Sequence, residues 1–289
     1  MIPSRFVRPL LVVLCLCMIA GGVFAQTATN ESQYEPKVGQ EGKDVVWVPT
    51  CQELVDQMLD LAKVTPEDYV IDLGSGDGRT VITALKRGAR ALGIEYNPDM
   101  VALSKRNAAD QGVTDKAQFV QADLFESDFS QATVITMFLL PTINLKLRPQ
   151  LLNLKPGTRV VSNSFTMGEW AADETASVDS LEECGDYTTA LLWIIPAKVE
   201  GTWKLPQGEL TLKQSFQSFS GALASGNGFL PVTNGKLRGD RVSFTVGDAD
   251  YTGLLSGGIM QGTFKSGGST VPWNATRVGE GVQPPSDKR

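Results

Sequence analysis

Tyr69-Val70-Ile71-Asp72-Leu73-Gly74-Ser75-Gly76-Asp77-Gly78-Arg79-Thr80 decides how the rest of this chain is read. Val70, Ile71 and Leu73 form the short apolar run of a central strand. Gly74, Gly76 and Gly78 follow, residues that accept φ > 0 and allow close backbone approach. Residues 79–85 continue as a helix that ends in Lys86, Arg87 and a C′ glycine, Gly88. A turn of this kind offers free N–H groups to a ligand. It is not the dinucleotide fingerprint G-x-G-x-x-G, because Arg79 stands three places after Gly76. An acid, Asp72, precedes the glycines; a carboxylate there suits a cationic ligand and repels a pyrophosphate.

Strands and helices alternate on either side. Upstream, Thr50 and Glu53 form a capping box before a helix whose Leu54, Val55, Met58, Leu59 and Ala62 make one apolar face. That helix either simply covers the sheet or brings the Pro49-Thr50 turn over a ligand as a lid. Downstream, residues 91–95 read as a second buried strand ending in Glu95. This acid lies roughly 20 residues past Asp72, where nucleoside-binding α/β folds place the carboxylate that accepts ribose hydroxyls. Asn97 caps the next helix, with Pro98 at its first position. Residues 117–123 are strand three, ending in Asp123, and residues 132–140 are strand four. Pro149 divides residues 143–154 into a short first turn and a helix starting near Pro149. Residues 158–163 are strand five, and 174–180 and 188–195 a final pair. The alternation implies a mostly parallel, doubly wound Rossmann-like sheet, hence an α/β fold. Near Gly201 the period drops to two, with Asn234-Gly235 and Gly239-Asp240 as hairpin turns. Residues 200–278 therefore read as a small antiparallel all-β domain, barrel or sandwich, without a catalytic motif.

The chain has 289 residues, enough for one to two domains, and 42% hydrophobic with 20% charged residues mark it as globular. A net charge of −6, with no local basic patch, makes a nucleic-acid partner unexpected. There is no histidine, which excludes Ser-His-Asp and Cys-His catalysis. No Cys/Asp/Glu cluster has metal-ligand spacing, so no metal is expected. Residues 1–25 read as a signal peptide: Arg5 and Arg8, an apolar core, then Val23-Phe24-Ala25 before Gln26. The core is short for a membrane span, so after cleavage no span is expected; the alternative is an uncleaved anchor, and either way Arg5 and Arg8 hold the N-terminus inside and the globular part is expected outside the cytoplasm, periplasmic or secreted. Residues 26–43 read as a polar, disordered linker and 279–289 as a disordered tail. Cys51 and Cys184 remain in the mature chain, either paired or as two separate buried thiols.

The Asp-x-Gly-x-Gly-x-Gly run resembles motif I of class I S-adenosylmethionine (SAM) methyltransferases. Residues 45–170 resemble, more narrowly, bacterial relatives of the mitochondrial protein-lysine methyltransferases that act on the ATP synthase c-subunit and the adenine nucleotide carrier. The resemblance is carried by Val48-Pro49-Thr50, by the residues from Asp72 to Arg79, and by Gly93-Ile94-Glu95-Tyr96-Asn97-Pro98. Asp123-Leu124-Phe125, Lys146-Leu147-Arg148-Pro149 and Arg159-Val160-Val161-Ser162 add to it. It implies a SAM-dependent methyltransferase domain over residues 44–198. The implied cofactor residues are Asp72, Gly74, Gly76, Gly78, Glu95 and Asp123, with Asp123 toward the adenine amino group. It further implies a lysine side chain of a protein as acceptor. Asn163 and Trp170, beyond strand five, are acceptor-side candidates because ligands bind outside the carboxyl ends of such strands. The residue that would take the acceptor's proton is not identified. Leu139-Leu140-Pro141-Thr142 replaces the Asn/Asp-Pro-Pro-Tyr motif, which argues against adenine or glutamine methylation. The alternatives are a small-molecule methyltransferase and an exported, catalytically inactive methyltransferase-like binding protein.

Overall fold

A computed structural model describes residues 34–226 and 228–278. The expected signal peptide, the first part of the expected linker and the expected tail lie outside the described residues.

The strand that opens the reading is β1 (Tyr69–Leu73), and Val70, Ile71 and Leu73 are fully or almost fully buried. Around it stand β2 (Arg90–Glu95), β3 (Ala117–Gln121), β4 (Val134–Met137), β5 (Arg159–Asn163), β6 (Glu174–Ser177) and β7 (Thr189–Ile194). They form one sheet in the order β3-β2-β1-β4-β5-β7-β6. β1 to β5 run parallel, and β7 pairs antiparallel with both β5 and β6. The chain leaves β1 toward β2 on one side and returns to β4 on the other. Ligands of such sheets bind outside the carboxyl ends at this switch point.

Helices α1 (Gln52–Leu61), α2 (Arg79–Lys86) and α3 (Pro98–Asp110) carry residues of one core cluster; α4 (Pro141–Leu151) carries those of a second. Two helix expectations need correction. The N-cap of α1 is Cys51, without a side-chain cap bond, so Thr50 and Glu53 form no capping box. Pro149 does not start a helix. α4 is continuous from Pro141, which occupies its first turn, and Pro149 falls near its end. An interior proline costs roughly 3 kcal/mol, which burial of Leu147 and Leu151 on the same helix offsets.

Cys51 and Cys184 are joined in a disulfide, with Cα atoms 5.0 Å apart. The bond ties the start of α1 to α5 (Leu181–Cys184), in the connection between β6 and β7.

The period-two region folds as a closed antiparallel barrel: β8 (Gly201–Leu205), β9 (Gly208–Ser215), β10 (Ser218–Ser225), β11 (Gly228–Arg238), β12 (Arg241–Val246), β13 (Ala249–Ser256), β14 (Ile259–Ser266) and β15 (Ser269–Arg277). β15 pairs with β8, so no sheet edge remains open. Trp203, Phe219, Phe244, Tyr251, Met260 and Trp273 fill it. Gly239-Asp240 is a hairpin turn as expected. Asn234-Gly235 is not: it lies inside β11, where the register with β12 shifts between Thr233 and Lys236. A Cβ at Gly235 would sit 2.1 Å from the Phe219 carbonyl oxygen, so the glycine permits a bulge under close strand approach.

The barrel packs on the sheet. Phe216 stacks on Trp170 at 5.7 Å and 9°. Gln217 donates to the Ala171 carbonyl, the Ala197 N–H donates to the Gly239 carbonyl, and Arg238 pairs with Glu174.

Candidate functional site

The glycine turn is held from inside the protein. The N–H groups of Gly74 and Ser75 both donate to the Ile94 carbonyl, at 2.9 and 3.0 Å. Gly76 N–H donates to Glu95 Oε2 at 2.9 Å, and Gly78 N–H to the Ser75 carbonyl at 2.8 Å. Most of the N–H groups expected to face a ligand are therefore spent on fixing the turn. Recognition falls to side chains instead. One cavity at the carboxyl ends of β1, β2 and β4 has Asp72, Gly74, Gly76, Glu95 and Asp123 together on its wall. Gly78 lies outside that wall. It precedes α2 at φ 83°, and a Cβ there would meet Ser104 at 2.7 Å and Phe119 at 2.8 Å, so packing explains this glycine.

The acids differ in environment. Asp72 is buried and accepts a hydrogen bond from Thr136 at 2.6 Å. Burial, reinforced by the charges of Asp77 and Glu95, pushes its carboxyl up to about 7 despite that bond. Glu95 is half-buried; its second oxygen accepts from the Asn97 N–H at 2.9 Å. Asp123 is held below the usual carboxylate range by hydrogen bonds from Lys43 and from the Phe125 N–H. Among the described residues, Ser75 Oγ on the same wall is buried without a hydrogen-bond partner, and no cluster of His, Cys, Asp or Glu could hold a metal.

Residues 34–43, part of the stretch 26–43 expected to be a disordered linker, are instead tied to α3 and Trp47, and residues 40–50 line this cavity. Tyr34 and Gln40 contact Met100 of α3, and Arg106 donates to the Tyr34 carbonyl at 2.8 Å. Gly39 and Gln40 pair with Trp47 through backbone bonds of 2.8 and 2.9 Å. Lys43 pairs with Asp123 and lies over the Tyr96 ring. A Cβ at Gly76 would be 2.7 Å from Trp47 Nε1, so the indole lies directly on the turn. α1 covers the sheet, as the simpler of the two readings has it, and Pro49 and Thr50 are among the residues that line the cavity. Composition alone hid the strap, because its anchors are single residues without period.

Beyond β5 the expected acceptor-side residues are buried elsewhere. Asn163 is fully buried and donates to Thr50 Oγ1 at 3.2 Å. Trp170 is fully buried between Trp193 and Phe216 at the barrel junction. Neither is on the cavity wall. The residues found at this end are half-buried aromatics. Phe138, which lines the cavity after β4, contacts Tyr187 at 5.0 Å and Phe165 at 5.9 Å between ring centroids.

The chain has known relatives. Residues 72–174 match the model of the ANTKMT methyltransferase domain. A protein-lysine N-methyltransferase of Saccharolobus islandicus (strain REY15A) is 45% identical over 138 residues, covering 47% of this chain and 86% of that protein. The chain is a SAM-dependent methyltransferase of this family. The human lysine N-methyltransferase of the ATP synthase C-subunit is 33% identical over 128 residues, 44% of this methyltransferase and 54% of the human protein. A crystal structure of an RNA methyltransferase from Salinibacter ruber, in complex with S-adenosyl-L-homocysteine, has 49% sequence identity. It covers 53% of this chain and 96% of that one, with a TM-score of 0.49. The family match includes Asp72, Glu95 and Asp123 and ends before the barrel begins.

The cofactor of this methyltransferase is SAM, and the cavity's chemistry fits it. A sulfonium and an amino group favour a wall of carboxylates in a partly desolvated site. Ile94, Tyr96, Met100 and Leu124 add apolar surface to the same wall. The turn cannot accept side chains at Gly74 or Gly76, where Cβ atoms would press on Leu139 and Trp47.

Proposed function

We propose that this chain is a protein-lysine N-methyltransferase that works outside the cytoplasm. The observation that carries the acceptor is the relative named for protein-lysine methylation, whose length this chain largely covers. The net charge of −6 disfavours a polyanionic acceptor and suits a cationic one. Leu139-Leu140-Pro141-Thr142, instead of a planar-amide clamp, supports an amine acceptor.

In this reading Glu95 accepts from the ribose hydroxyls of SAM and Asp123 from the adenine amino group. Asp72 balances the cationic end, while Gly74 and Gly76, with Leu139 and Trp47 packed against them, place the turn on the cavity wall. Bound SAM supplies a methyl group already activated on a sulfonium. The protein's own part is to position an amine and keep water out. Asp123 would exchange its pair with Lys43 for the cofactor, and residues 40–50 would cover it.

The Cys51–Cys184 disulfide supports an oxidising compartment, as does the basic-then-apolar pattern of residues 1–25. Calorimetric titration of the full chain with SAM, followed by mass analysis of lysine peptides incubated with both, tests the activity. SAM binding without methyl transfer to any lysine peptide would favour a small-molecule acceptor, and no SAM binding would favour a binding protein. N-terminal sequencing of protein from fractionated cells tests the location. A cytosolic protein still starting at Met1 would refute export.

A further inference from the structure

Phe138, Phe165 and Tyr187 come from three separate connections: after β4, after β5 and before β7. All three are half-buried, so each keeps part of its surface accessible. Their rings touch pairwise, with centroids 5.0 to 5.9 Å apart. They form a continuous aromatic surface that runs on from the cofactor cavity through Phe138.

The backbone is built to present these rings. Ser164 adopts φ 56°, a left-handed conformation that a non-glycine residue leaves unless it is held. It is held by its own N–H to the Thr189 carbonyl at 2.7 Å. The fully buried Asn144 also donates to the carbonyls of Phe165 and Thr166, each at 3.2 Å. Tyr187 follows the disulfide-anchored α5, and its N–H donates to the Cys184 carbonyl at 3.2 Å. The same β6–β7 connection carries the exposed carboxylates Glu182 and Glu183, in α5, and Asp186 after it. A held backbone at Ser164, a tethered connection and exposed acids within five residues of Tyr187 in sequence suit a cationic side chain at these rings.

We propose that Phe138, Phe165 and Tyr187 form the acceptor subsite, receiving the aliphatic stem and ammonium head of a lysine and its methylated forms. This rests on the lysine reading of the function. The rings attract an ammonium through their faces, and the attraction persists as methyl groups replace N–H, since it needs no hydrogen bond. The loop acids steer the cation toward the surface.

The test uses the full chain, a trimethyllysine amide as a binding probe and poly-L-lysine as the methyl acceptor. Phe165→Ala and Tyr187→Ala are each expected to weaken the probe about tenfold and raise KM for poly-L-lysine by a similar factor, with SAM affinity kept within about twofold. Phe165→Leu and Tyr187→Leu keep apolar bulk, remove the ring face and decide the matter if the alanine variants do not fold. Variants that match the parent in probe affinity and KM would overturn the subsite while leaving the lysine reading standing. A parent that neither binds the probe nor methylates poly-L-lysine would overturn both.

Discussion

Gly76 donates its backbone N–H to Glu95 Oε2 at 2.9 Å, while Trp47 lies against the position its Cβ would occupy. One carboxylate thus braces the glycine turn and also faces the cavity. Glu95→Ala is expected to lower SAM affinity by about tenfold to a hundredfold, the value of roughly 1.5–3 kcal/mol for hydrogen bonds to a charged group. Glu95→Gln keeps an acceptor for Gly76 and should lose less. Calorimetry on both variants separates ligand contact from bracing, and an alanine variant that binds like the parent would remove Glu95 from the site.

Asp72 makes the ligand-free protein pH-sensitive. Its folded carboxyl titrates near 7, above the 3.8 of an ordinary aspartate, because of burial and then the neighbouring acids. Stability from this group is present below about pH 4 and is lost as pH rises toward 7. Asp72→Asn retains an acceptor for Thr136 and removes the titration. Its Tm is expected to exceed the parent's by on the order of 5 °C at pH 8 and to converge with it near pH 4. SAM affinity of the parent should fall as pH drops through 7, where the carboxylate charge is lost, and Asp72→Asn should be weaker at pH 8 and flat across that range. Melting curves and titrations at pH 5 to 8 check both signs.

The Cys51–Cys184 bond closes a long loop, with a sequence separation of 133. Replacing both cysteines by serine is expected to cost about 2–5 kcal/mol. Thermal melts of the parent in reductant should approach those of the double variant; coincident melts with and without reductant would mean that the bond does not form.

Phe216 stacks on Trp170, which is fully buried between it and Trp193. Phe216→Ala is expected to destabilise the full chain by about 2 kcal/mol. SAM affinity should not change, because neither ring is on the cavity wall. A chain ending at Lys198 should likewise bind SAM but melt lower than the parent. Loss of SAM binding by a folded truncated chain would show that the barrel contributes to the site.

The sequence by itself determined the elements and their order. Val70, Ile71 and Leu73 beside three glycines can only be an inner strand and a tight turn, and the alternation that follows leaves few topologies. Acids at Asp72, Glu95 and Asp123 were legible because each stands at or just past the end of a strand, a local position that periodicity locates. The tertiary structure decided everything that depends on distant residues meeting. Cys51 and Cys184 pair because α1 and the β6–β7 connection share one face of the sheet. Trp170 became core when Phe216 docked on it. Asn234-Gly235 bulged within a strand because the closed barrel brings Phe219 against it. The strap from Tyr34 to Thr50 and the ring surface of Phe138, Phe165 and Tyr187 are assembled from single contacts across the fold. Such contacts leave no period in the chain, so only the folded molecule carries them.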